Sequence, residues 1–122
     1  MNERGNIILH IQSLIELFVP KCLDLSTIEI LKSYLNDKNK WSKAHNLFST
    51  IRQKNLEAIK NKKEILAVQY DFEEICAKTL YNLSYQSAPF DADSPYWIVP
   101  KAIRLARKIG IEETKIVNII SS

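Results

Sequence analysis

Glycine is nearly absent: Gly5 and Gly110 are the only two in 122 residues. All-β sandwiches and barrels depend on tight turns, many of which need glycine at positive φ. The scarcity therefore points to helices. Cysteine is as scarce, with Cys22 and Cys76 alone, each among apolar residues at helical spacing. They read as buried, reduced thiols, and nothing indicates a disulfide. Two cysteines and two histidines without close spacing make no zinc site. Long apolar runs are missing too. The stretch from Ile7 to Val19 is interrupted by His10, Gln12, Ser13 and Glu16. It reads as an amphipathic helix, not a signal peptide or membrane span. The expectation is a cytoplasmic protein with no membrane partner. Frequent Lys, Ile and Asn suggest an AT-rich, bacterial genome.

Catalytic motifs are also lacking. There is no glycine-rich phosphate loop, no serine elbow, no Cys–His neighbourhood and no Glu-x-x-His pair for a di-metal centre. Arg4 and His10 have the Arg-x5-His spacing that resembles the ribonuclease motif of the HEPN helical nucleases. In that family the motif sits on a helix late in the domain. Here Arg4 lies at the start of the chain and Gly5 follows it, so His10, like His45, reads as structural. The sequence thus predicts no catalytic residue, no cofactor, no metal site and no enzymatic activity.

What is present suits a globular bundle. Hydrophobic residues at 46% and charged residues at 25% are ordinary for a folded domain and argue against disorder. A chain of this length buries about two-thirds of its unfolded surface, so one helical domain over 1–122 needs no staple. Spacing of three and four predicts a first helix over about 6–19, ended by Pro20. A second begins near Ser26, where Ser26 and Glu29 have capping-box spacing. Its stripe is Ile28, Leu31 and Leu35, widened by Ile30 and Tyr34. Residues 36–40 read as a polar loop. A third helix spans about 42–60, with Trp41, Ala44, Phe48, Ile51, Leu56 and Ile59 facing inward. Residues 61–63 read as a break, with a continuous helix as the alternative. A fourth spans about 63–85 on Ile65, Val68, Phe72, Ile75, Cys76, Leu80 and Leu83. After a loop over 87–93, Ser94-Pro95 starts a short turn, and Pro100 shifts the next helix to about Val99. Gly110 ends it as a left-handed cap, and a short last helix follows from about Ile111. The expected fold class is all-α, an irregular bundle of five or six amphipathic helices.

Charge is divided unevenly. Residues 38–63 hold eight basic residues against Glu57, a balance of +7, and residues 64–94 hold six acids against Lys78, a balance of −5. The ordinary reading is two solvated faces that attract each other. One functional reading is nucleic-acid binding by 38–63, though Trp41 and Phe48 sit at core spacing there. The other is protein docking through the acidic helix and its following loop. That loop, Phe90-Asp91-Ala92-Asp93-Ser94-Pro95-Tyr96-Trp97, sets three aromatics beside two acids. Aromatics anchor interfaces and acids select basic partners. Equally, Trp97 reads as a plug for the bundle's end, and Asp93 or Ser94 as a cap. The partner-contact candidates are Asp71, Glu74, Phe90, Asp91, Asp93 and Tyr96.

The stretch Ser94-Pro95-Tyr96-Trp97-Ile98-Val99-Pro100-Lys101-Ala102-Ile103-Arg104-Leu105-Ala106-Arg107-Lys108-Ile109-Gly110-Ile111 resembles the C-terminal part of small bacterial helical proteins. Some of these serve as immunity partners of delivered toxins. The resemblance covers the last quarter of the chain and assigns no functional residue. It implies a non-enzymatic protein that covers the active site of a cognate, nuclease-type toxin, a partner with a basic surface. The alternative remains a nucleic-acid-binding or regulatory module built on 38–63.

Overall fold

Pro20 and the residue before it end the first helix, and the rest of the chain repeats that logic of short, chemically defined stops. The structure, a computed structural model, describes residues 3–84 and 95–121, with side chains over 7–84 and 98–119. α1 (Glu3–Phe18) runs into a single 3-10 turn at Val19–Lys21 that accommodates Pro20. α2 (Leu25–Leu35), α3 (Ala44–Lys60), α4 (Glu64–Ser84), α5 (Pro95–Lys108) and α6 (Glu113–Ser121) follow, with a second 3-10 segment at Lys38–Lys43. All regular structure among the described residues is helical, as an all-α bundle requires.

Several boundaries differ from the sequence reading, each for a local reason. α2 is capped by Asp24, not Ser26. The Asp24 carboxylate accepts from the Ser26 amide at 3.1 Å and the Thr27 amide at 3.4 Å, and Ser26 Oγ donates to it at 2.6 Å. An extended aspartate two residues ahead starts the helix earlier and takes the free amides of its first turn, so Ser26 lies inside the helix. The polar stretch 36–40 is only half loop. Asp37 accepts from the Asn39 amide at 3.0 Å and starts the 3-10 segment that buries Trp41, whose Nε1 donates to the Tyr34 carbonyl at 3.0 Å. The break between α3 and α4 is real. Lys62 takes φ 58°, and the Lys63 amide reaches back to the Ala58 carbonyl at 2.8 Å, a Schellman closure on a non-glycine residue. α5 is one helix from Pro95, not a turn followed by a helix from Val99. Pro100 sits inside it and forgoes only the amide bond to the Tyr96 carbonyl. Gly110 is the left-handed cap expected, at φ 79°, with the Ile111 amide bonded to the Ala106 carbonyl at 2.9 Å.

α3 and α4 pair along their length as an antiparallel hairpin, and α4 also touches α1, α2 and α5. α1 packs in turn on α2, α5 and α6. The centre of the core is a parallel stack of Phe18 on Phe72, ring centroids 4.0 Å apart. Ile11, Leu14, Ile28, Leu31, Ile51, Cys76, Leu80 and Ala102 are fully buried around it. Cys22 and Cys76 are both free thiols.

The seam of α3 departs from the expected one. Its buried positions are Ala44, Leu47, Ile51, Asn55 and Ala58. Leu56 and Ile59, expected inside, are 49% and 58% exposed, and Ile30 and Ile65 are exposed as well. A polar residue, Asn55, occupies the seam position that apolar spacing assigns to its neighbour. Its reason lies on α4.

Candidate functional site

α4 buries four polar side chains, Gln69, Glu73, Glu74 and Thr79. Buried polar groups are tolerated when bonded: Thr79 donates to the Ile75 carbonyl at 2.8 Å, and the other three belong to two clusters on different sides of the helix.

The first cluster fastens α2 and the segment before it to α4. Gln69 Oε1 accepts from the amides of Leu23 at 2.9 Å and Asp24 at 3.1 Å, while Gln69 Nε2 donates to the Asp24 carbonyl at 2.7 Å and to Glu73 Oε2 at 2.7 Å. Thr27 Oγ1 donates to the same Glu73 oxygen at 3.0 Å, and the Tyr70 hydroxyl donates to Asp24 Oδ2 at 2.7 Å. Glu73 is wholly buried, and its Oε1 has no hydrogen-bond partner among the described residues. Burial pushes the Glu73 carboxyl up to about 7 against the pull of the Gln69 and Thr27 bonds. Burial opposes ionisation of Asp24 as well. There Ser26, Tyr70, Thr27 and Lys54 outweigh it and hold the carboxyl below its usual value. Burial, then Glu73 and Asp24, push the Cys22 thiol up to about 11.

The second cluster holds two of the sequence-derived contact residues, Asp71 and Glu74. Asn55 Nδ2 donates to Asp71 Oδ1 at 2.6 Å and to Glu74 Oε2 at 2.7 Å. Arg52 Nη1 reaches Glu74 Oε1 at 3.4 Å. Glu74 is buried and Asp71 half-buried. Burial raises the Glu74 carboxyl, with Asn55 and Arg52 opposing it. Asp71 and Glu74 are therefore turned toward α3 and hydrogen-bonded there, Glu74 also to Arg52, which accounts for Asn55 in the seam.

Beside this cluster α3, α4 and α5 form a cleft of about 320 Å³. Its apolar lining is Phe48, Ile75 and Leu105. Asp71 and Glu74 contribute acid, while Arg52, Lys78, Lys101, Arg104 and Lys108 contribute five cations. The cleft is thus cationic on balance. Sequence reasoning assigned Arg52 to the basic segment and overlooked the α5 residues. Their signal was available: 101, 104 and 108 fall on one helical face.

Phe90, Asp91 and Asp93 lie outside the described residues, and Tyr96 sits in α5 with its side chain outside them. So does the Arg4 side chain. His10 is half-buried on α1, and His45 is exposed beside Tyr81, ring centroids 5.2 Å apart. In the basic segment Lys38, Lys43, Lys60, Lys62 and Lys63 are exposed, Lys54 lies 3.9 Å from Asp24, and Lys40 lies over the Tyr34 ring at 5.6 Å. Among the described residues no group of three His, Cys, Asp or Glu is placed to hold a metal ion, and no helix is long and apolar enough to cross a membrane. Compared with family models, curated proteins and solved structures, the chain matches none.

Proposed function

We propose that this chain is a non-enzymatic protein-binding domain, of the immunity kind, that neutralises a nuclease-type toxin by covering its active site. The observation that carries the reading is the mixed-charge cleft. Its α4 wall holds Asp71 and Glu74, its other wall is α5, and residues 85–94 with Asp91 and Asp93 connect the two helices. A nuclease active site offers cations for the phosphate and acids for catalysis, so a surface bearing both signs complements it. Asp71, Asp91 and Asp93 are the direct acidic contacts in this reading. Glu74 has another task, holding Arg52 and Asn55 in place.

The test is expression beside the product of the neighbouring gene. Co-purification, with loss of that product's nuclease activity at equal molar amounts, supports the proposal. A neighbouring toxin that stays active in excess of this chain defeats it. The second reading, nucleic-acid binding, draws on the exposed lysines of 38–63. It requires retention on nucleic acid that falls steeply with salt.

A further inference from the structure

The cleft has a chemistry opposite to that expected of the acidic helix. Inward-facing Glu74 is matched by Asn55 and Arg52, and Asp71 by Asn55, at the distances given above. The α5 rim is cationic. Arg104 and Lys108 are one helical turn apart on the same side and exposed, and Arg52 stands on the α3 side of the same cleft. Between the walls lie Phe48, Ile75 and Leu105, a short apolar floor.

From this geometry we infer that the cleft between α3, α4 and α5 docks an acidic segment of a partner protein, with an apolar side chain on Phe48, Ile75 and Leu105 and carboxylates on Arg104, Lys108 and Arg52. The inference rests on the protein-binding reading above and adds the sign of the partner segment. Three features favour a protein over a nucleic acid. A cleft of about 320 Å³ takes one or two side chains, not a run of nucleotides. Asp71 and Glu74 repel a backbone that carries a charge at every phosphate, whereas a protein segment spaces its carboxylates. The apolar groups are the floor: Phe48 is half-buried and Leu105 buried, so neither is a platform on which bases stack. From Lys101 to Lys108 the rim rises about 10 Å, the span over which an acidic helix repeats its carboxylates on one face.

The experiment needs only the full chain and two probes. One is a short fluorescein-labelled peptide with glutamates spaced three and four residues apart around a central phenylalanine. The other is a labelled thymidine oligonucleotide of equal charge. Anisotropy at low salt is followed for the wild type, for Arg104→Glu with Lys108→Glu, and for a control of equal charge change, Lys60→Glu with Lys63→Glu. All four positions are exposed, and circular dichroism checks that the fold persists. The expected result is peptide binding that weakens about tenfold in the α5 variant, from two reversed contacts, and stays within about twofold in the control. No peptide binding, an equal loss in both variants, or tighter binding of the oligonucleotide that the α5 variant abolishes would each overturn the inference. Because the probes stand in for the partner's chemistry, failure here leaves the toxin assay informative, and failure of that assay leaves this one so.

Discussion

Glu73 is the most demanding residue in the fold, and replacing it with glutamine gives a quantitative test. Its carboxyl is wholly buried beside Gln69 and Thr27, with one oxygen unpartnered among the described residues. Burial moves its pKa from 4.5 to about 7. The native state therefore holds the proton more tightly than the unfolded chain does. The stabilising effect is complete below pH 4.5 and is lost as pH rises through about 7. At about 1.4 kcal/mol per pH unit, the wild type loses about 2–3 kcal/mol between pH 5 and pH 8 through this group. Glu73→Gln keeps an acceptor for Gln69 and Thr27 but carries no titrating proton. Glu74, also raised, titrates equally in both proteins, and Asp24, held below its usual 3.8, acts only at more acidic pH. The variant minus wild-type difference in unfolding free energy should thus grow by about 2–3 kcal/mol from pH 5 to pH 8, a relative rise of roughly 10 °C in Tm. Urea titrations at each pH measure it. A difference that is flat across the range would refute the burial of an ionisable Glu73.

Three further outcomes follow from the same geometry. Asn55→Leu leaves Asp71 and Glu74 without their shared donor inside the α3–α4 seam, and should lower stability by about 3 kcal/mol in urea unfolding. Lys62→Gly relieves a positive φ of 58° on an exposed residue and should raise the urea midpoint by the equivalent of about 0.5–1 kcal/mol with no change in slope. Cys22, its thiol pushed up to about 11, and fully buried Cys76 should react with a disulfide reagent at pH 8 only slowly in the native state and rapidly in urea. Fast native labelling of Cys76 would count against the Phe18–Phe72 core as described.

Much of the bundle was legible because local signals agreed. Pro20, the 61–63 break, Gly110 and the apolar stripes of α1 and α4 each have a short-range cause. Two of the misreadings share one origin: a polar residue doing a tertiary job. Asn55 holds a seam position because two α4 carboxylates need a donor, and that displaced Leu56 and Ile59 to the surface. Asp24 caps α2 while also receiving Tyr70 from α4. Spacing within one helix contains no trace of either pairing. The candidate site shows the same pattern. Asp71 and Glu74, read from the sequence as partner contacts, line the cleft. Their inward orientation depends on Asn55 and Arg52 of another helix. The cations at 101, 104 and 108 were readable as a face but were lost in a regional charge balance.

The proposed working surface lies on the α4–α5 side of the bundle, away from the lysines at the α3–α4 turn. Amine-reactive footprinting of the complex with the neighbouring gene's product tests this directly. Lys108 should become protected on complex formation while Lys60, Lys62 and Lys63 keep their reactivity. Protection of the turn lysines with Lys108 still fully reactive would contradict it.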